Sequence, residues 1–219
     1  MTDHTGSHSD TAEPTPADKF WDQRYAEKEQ IWSGNVNAVL AEVAAELEVG
    51  TALDLGCGEG ADAIWLAGMG WRVTAVDVSD TALRRARDAA VREQVDSRTT
   101  FEQLDLAEDF PSGTYDLVSA QYLHSPIHFP RNQVLARAAR AVALGGRLLV
   151  VDHGAPPPWM PPGHDHPRFP TVEETFAELG LVDDHWRVER CEAVERDAVG
   201  PDGQQGRLLD NVIAVCRLA

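Results

Sequence analysis

Three glycines at alternate positions behind a short apolar run constrain this chain more than any other feature. In "TALDLGCGEGADAIWLAGMGWRVTAVDVSD" (51–80), Gly56, Gly58 and Gly60 spell G-x-G-x-G. The run reads as a buried strand turning tightly into a helix, because glycine enters left-handed backbone without a Cβ clash. Asp77 follows Gly56 by 21 residues, the offset at which an acid ending the second strand meets a ribose in nucleotide-binding α/β folds. A turn of this kind suits a dinucleotide, a nucleoside triphosphate or a smaller cationic ligand. The rest of the chain has to choose.

Apolar runs and amphipathic stretches alternate from residue 51 to about residue 154. "TALDLG" (51–56), "RVTAVDV" (72–78), "TTFEQLD" (99–105), "YDLVSAQ" (115–121) and "GRLLVVDH" (146–153) are short and apolar enough for buried strands. Helical periodicity runs through 61–70, 80–94 and 131–143, with Ser79 or Asp80 as N-cap of the second and Gly145 and Gly146 stopping the third. Near the C-terminus, extended runs at 185–196 and 207–218 flank the turn "VGPDGQQG" and pair as an antiparallel hairpin. The fold class is therefore α/β: a doubly wound, mostly parallel, Rossmann-like sheet of seven strands closed by that hairpin.

Residues 1–17, rich in Thr, Ser, Asp and Pro, read as a disordered tail. Residues 18–219 read as a single domain, in which 18–48 form a helical lid before the first strand. "GAPPPWMPPGHDHPRFP" (154–170) is too proline-rich for helix or strand and reads as an ordered substrate loop.

A net charge of −17 repels phosphate backbones and anionic headgroups, which excludes nucleic acid and membrane surfaces as expected partners and leaves small molecules. No apolar run approaches a membrane span, and the N-terminus lacks the basic and apolar regions of a secretory signal. Cys57, Cys191 and Cys216 form no CxxC pair, as expected of a reduced, cytoplasmic protein.

The glycine loop also fits the dinucleotide pattern if Ala61 counts as its last member. Against that reading, Asp54 interrupts the apolar lead-in. Lys19 and Lys28, the only lysines, precede the fold, so no tyrosine–lysine pair for hydride transfer is available. Gly60 is followed by Ala61 and Asp62 rather than Lys and Ser or Thr, which excludes a triphosphate loop.

"LDLGCGEG" (53–60), "VDVS" (76–79), "QLDL" (103–106) and "YDLVSAQ" (115–121), in that order, resemble the successive motifs of class I S-adenosylmethionine-dependent methyltransferases. The resemblance runs from about residue 19 to the C-terminus. "FWDQRYAEKEQIWSGNVN" (20–37) further resembles the small-molecule branch of tellurite-resistance and thiopurine methyltransferases.

The resemblance implies S-adenosylmethionine as cofactor and methyl transfer to a small-molecule sulfur, oxygen or nitrogen nucleophile. The alternative is a non-catalytic protein binding S-adenosylmethionine or S-adenosylhomocysteine. Asp77 would accept both ribose hydroxyls. Asp105 would lie near the adenine amino group, with Leu106 on the ring, and Val78 and Gln121 would line the same site. Asp54 would hold the glycine loop or, through water, the cofactor's ammonium. Tyr25 and Trp32 either fold over the cofactor, where an aromatic face suits a sulfonium, or serve as packing anchors.

Ligands of open α/β sheets sit beyond the carboxyl ends of the strands. His124 after the fourth strand and His153 ending the fifth are therefore candidate general bases, each with the alternative of an exposed or capping histidine. Tyr122, His128, Trp159 and Phe169 are candidate substrate contacts, with His164 and His166 in the proline loop. A zinc site of His153, His164 and His166 lacks ligand spacing, and no metal is expected. Asp116 is expected to be structural.

Overall fold

The computed structural model describes residues 16–160, 168–181, 183–200 and 202–219; the expected tail over 1–15, His164 and His166 lie outside the described residues. The chain begins with helix α1 (Ala17–Ala26) and, after an irregular connection, α2 (Ala38–Ala45). Strands and helices then alternate: β1 (Thr51–Leu55), α3 (Ala61–Gly68), β2 (Arg72–Asp77), α4 (Asp80–Arg92), β3 (Thr99–Gln103), β4 (Tyr115–Gln121), α5 (Arg131–Arg140) and β5 (Val142–His153). Helix α6 (Val172–Glu178) precedes the long strands β6 (Trp186–Val199) and β7 (Gln205–Arg217).

All seven strands form one sheet in the order β3-β2-β1-β4-β5-β7-β6. Strands β1 to β5 pair in parallel; β7 runs antiparallel to β5 and pairs with β6 as the terminal hairpin. The expected architecture is borne out. Alternate residues of the central strands enter two separate cores, one with α5 (Val134, Leu135) and one with α2 and α3 (Leu40, Leu66). Burial on both faces explains why these strands are apolar throughout rather than alternating.

Local signals set the helices. The Ser79 hydroxyl accepts the Ala82 N–H to start α4, which buries Ala82, Leu83, Ala86 and Ala90 along one stripe. Asn37 caps α2 through the N–H groups of Val39 and Leu40. Thr171 and Glu174 form a reciprocal capping box at α6.

One expectation is corrected. Helix α5 ends at Arg140, and Gly145 and Gly146 lie inside β5 instead of stopping the helix. The β4–β5 register shifts between Tyr115 and Leu117. A Cβ on Gly146 would stand 2.9 Å from the Asp116 carbonyl oxygen and 3.0 Å from that of Tyr115. Glycine is needed there because two backbones meet at a bulge. Asp116 is structural, as expected: its carboxylate accepts the Thr51 N–H and hydroxyl, each at 2.8 Å, and ties β4 to β1.

Candidate active site

The glycine loop joins β1 to α3 at the carboxyl edge of the sheet. Gly56, Gly58 and Gly60 have φ of 69°, 54° and 82°. At Gly58 a Cβ would come 2.8 Å from the Tyr25 hydroxyl and 3.2 Å from Trp32 Nε1, so a side chain would displace the aromatic cover. Asp77, ending β2, accepts the Gly58 N–H at 2.8 Å and the Ser79 N–H at 2.9 Å. It therefore shapes the loop from below while each carboxylate oxygen keeps a further lone pair for a ligand.

Two more acids converge on this loop. Asp54 on β1 is buried, and its Oδ2 has no hydrogen-bond partner. Burial, reinforced by the charges of Asp62 and Asp77, pushes its carboxyl well above the ordinary range. Asp62 accepts the Asn37 N–H at 2.7 Å, and burial pushes it up from 3.8 to about 6. Burial also raises Asp77 despite its hydrogen bonds from Ser79 and Gly58. Asp54 is thus a buried acid with an unpartnered oxygen beside the glycine loop, flanked by Asp62 and Asp77. Cys57 lies within the loop as a packing residue whose thiol burial holds far up its range.

The segment from Tyr25 to Trp32, within the 18–48 stretch expected to form a lid, lies against the glycine loop and is held by a pair that the sequence did not single out. Glu59, inside the glycine loop, accepts the N–H groups of Ile31 and Trp32, both at 3.1 Å. Arg85 on α4 pairs with Glu59 at 2.7 Å and donates to the carbonyls of Tyr25 and Lys28, each at 2.8 Å. Trp32 Nε1 donates to the Tyr25 hydroxyl at 3.0 Å; Tyr25 is buried and Trp32 is 53% exposed. Asp22 anchors α1 by accepting the Ser79 hydroxyl and the Thr81 N–H at the start of α4.

Beside Asp77 a cavity of about 360 Å³ is lined by Val78, Gln103, Leu104 and Asp105, with Pro16, Ala17 and Asp18 at its rim. Asp105 accepts the Ala107 N–H at 2.9 Å, so the acid also shapes its own turn. Leu106 is buried behind it in the core. Pro16 and Ala17, expected to belong to the tail, instead cap and open α1. Gln121 Nε2 donates to the Ser119 hydroxyl, and its Oε1 is buried without a partner.

Beyond β4 and β5 the candidate acceptor residues fall into two groups, because consecutive residues on β5 point to opposite faces. Toward α5, Asp152 faces Arg131, and His124 Nε2 lies 3.2 Å from its Oδ1. Toward α2 and α3, the Tyr122 ring stacks on His153 at 4.3 Å and 29°. The buried Asp210 of β7 takes the Tyr122 hydroxyl at 2.8 Å and faces His153 Nδ1 at 3.3 Å. Sequence reasoning missed Asp210, although an Asp–Asn pair in the middle of an apolar strand was a visible signal. Trp159 lies over the hairpin tip, where Cβ atoms on Gly200 and Gly206 would reach its ring at 2.8 Å and 3.1 Å. His128 is exposed in the loop after β4 and Phe169 is half-buried.

A family model described as a methyltransferase domain matches residues 52–146. A 2-heptyl-1-hydroxyquinolin-4(1H)-one methyltransferase of Mycobacteroides abscessus is 30% identical over 164 residues, 72% of this chain and 67% of that protein. The chain belongs to the class I S-adenosylmethionine-dependent methyltransferases. A 27-O-demethylrifamycin SV methyltransferase of Amycolatopsis mediterranei is 40% identical over 103 residues, 46% of this chain and 37% of the relative. The chain thus matches little more than a third of that methyltransferase. A solved structure from work on the conversion of a disulfide bond into a thioacetal group during echinomycin biosynthesis shares the fold. It has a TM-score of 0.68 at 23% identity and covers 91% of this chain and 92% of its own. S-adenosylmethionine is the cofactor of the methyltransferase family.

Proposed function

We propose that this chain transfers a methyl group from S-adenosylmethionine to a small-molecule nucleophile. The observation that carries the reading is the left-handed glycine loop shaped by Asp77, with the unpartnered, buried Oδ2 of Asp54 beside it, an acid that a cationic ligand would hold ionised. The residues present fit the cofactor. Asp77 and the loop N–H groups would take the ribose, Val78, Asp105 and Leu106 the adenine, and Asp54 the ammonium. Gln121 would close the site from β4. Bound S-adenosylmethionine supplies a methyl group on a positively charged sulfur.

The chain's own residues then align the acceptor and exclude water, since an activated leaving group makes positioning the main task. The Tyr25–Trp32 segment, held by Glu59 and Arg85, covers the loop. Tyr122, His128, Trp159 and Phe169 would bound the acceptor, and His124 and His153 are the histidines offered to it. The relatives named for a hydroxyquinolone and for a rifamycin position support a small organic acceptor. Charge supports it too, because a net −17 disfavours polyanions. No described helix is long and apolar enough to cross a membrane. The three free cysteines support chemistry in a reducing compartment, the cytoplasm.

The test is to incubate the protein with S-adenosylmethionine and a panel of phenols, alcohols, thiols and amines, and to quantify S-adenosylhomocysteine by chromatography. Acceptor-dependent release is expected. Tight cofactor binding with no release from any acceptor would replace this reading with that of a non-catalytic binding protein.

A further inference from the structure

We propose that His153 is the proton-accepting base for a hydroxyl acceptor and that Asp210 is the positioning residue that aims it. The inference rests on the methyl-transfer reading and names the acceptor class of that site.

Asp210 is 2% exposed, and three groups converge on its carboxylate. Tyr122 donates its hydroxyl to Oδ2 at 2.8 Å, Arg196 Nε donates to the same oxygen at 2.5 Å, and His153 Nδ1 stands 3.3 Å from Oδ1. Burial alone would raise this acid. Hydrogen bonds from His153, Arg196 and Tyr122, with the Arg196 charge, hold it below the ordinary carboxylate range. A carboxylate only accepts, so His153 Nδ1 must carry the hydrogen. The lone pair of the neutral ring then lies on Nε2.

The ring is held from a second side. Tyr122 stacks against it, and Tyr122 adopts a φ of 50°, a left-handed conformation that strains a bulky residue. Backbone bonds keep it there: Tyr122 N–H to the Val151 carbonyl at 2.7 Å, and His124 N–H to the Tyr122 carbonyl at 2.8 Å. Tyr122 itself is a poor base, because burial and Asp210 push its hydroxyl up to about 12. The His153 side chain remains 38% exposed at the carboxyl edge of the sheet, and Nε2 is the ring nitrogen not turned toward Asp210.

The other histidine is arranged the opposite way. His124 directs Nε2 at Asp152 Oδ1, and that oxygen lacks a well-aligned hydrogen bond. In the tautomer that turns Nε2–H toward Asp152, only Nδ1 would remain for an acceptor. Asp152 is also claimed by Arg131, which donates to the Leu123 carbonyl and reaches Glu178 on α6. That cluster ties loop, strand and helices together.

A fixed base points to an acceptor that must lose a proton. A thiol has a pKa nearer neutral pH, and its thiolate forms readily without a base; an alcohol, phenol or N-hydroxyl is held mostly protonated and gains from one. As the hydroxyl oxygen takes the methyl carbon, the C–S pair stays with sulfur. The O–H bond breaks, and its proton goes to His153 Nε2. Asp210 stabilises the imidazolium so formed.

The decisive experiment is nitrogen-15 NMR of the full chain labelled at histidine, with His153 assigned by loss of its signals in His153→Gln. The neutral ring is expected to carry hydrogen on Nδ1 and none on Nε2, with the Nε2–H form gaining population in Asp210→Ala. Hydrogen on Nε2 in the wild-type chain would overturn the proposal even if Asp210→Ala does not fold. Kinetics with 2-naphthol and 2-naphthalenethiol give the second arm. Asp210→Asn should lower kcat for the naphthol about 100-fold with KM little changed, and spare the thiol. Equal losses on both would also overturn it. Absence of S-adenosylhomocysteine release from every acceptor refutes the methyl-transfer reading instead, and the tautomer measurement still decides how Asp210 aims the ring.

Discussion

Replacing Asp62 by Asn removes one charge from the acid cluster at the glycine loop and should change how stability depends on pH. In the folded chain burial raises Asp62 from 3.8 to about 6. A carboxyl whose folded value lies above its unfolded value binds its proton more tightly when folded. The native state is therefore favoured below 3.8, and that advantage is lost as pH rises to about 6. At about 1.4 kcal/mol per pKa unit the loss is at most about 3 kcal/mol. Burial raises Asp54 as well, so its contribution has the same sign and is likewise lost as pH rises.

The amide introduced by Asp62→Asn would stay neutral throughout and could still accept the Asn37 N–H through its side-chain oxygen. The variant should match the wild type near pH 4 and exceed it by about 1–3 kcal/mol at pH 7. Urea unfolding followed by tryptophan fluorescence between pH 4 and 7 measures both curves. A companion effect is expected in cofactor binding. Wild-type affinity for S-adenosylmethionine should rise with pH as the cluster ionises, and in the variant this rise should move to lower pH, because Asp54 loses a like-charged neighbour. Parallel stability curves for the two proteins would refute the assignment of a raised carboxyl to Asp62.

Three further outcomes are expected. Asp77→Ala should weaken S-adenosylmethionine binding at least tenfold by calorimetry, since two charge-assisted hydrogen bonds of about 1.5–3 kcal/mol each disappear; wild-type affinity in a folded variant would remove Asp77 from the ribose site. Gly58→Ala should cost at least tenfold in cofactor affinity, because the new Cβ meets the Tyr25 hydroxyl at 2.8 Å on left-handed backbone; unchanged affinity would show that the loop does not need glycine there. Arg85→Ala should leave the part-buried Glu59 unpaired and loosen residues 25–32, raising their amide exchange rates while strands β1 and β4 stay protected; unchanged exchange would mean that the lid is held by other contacts.

The glycine loop, Asp77 and the order of strands were legible in the chain alone because their signals are local. A run of buried strand residues, a turn needing left-handed backbone and an acid ending the next strand occur within 51–80. The seven-stranded topology followed from alternation and from the two extended runs at the end. Gly145 and Gly146 show where local reading failed. Two glycines after a helical pattern signal a stop equally well as a strand bulge, and only the approach of the Tyr115 and Asp116 carbonyls decides between them. The Glu59–Arg85 clasp and the Asp210 cluster lay further out of reach. Tyr122 and Asp210 are 88 positions apart, and Glu59 and Arg85 are 26 apart. No periodicity marks such partners, because they meet only where segments distant in the chain come together in the fold. Residue types along the chain thus carried the glycine loop and the acid that ends the next strand, whereas the antiparallel return of β7 beside β5 set Asp210 opposite His153, a pairing that no local signal specifies.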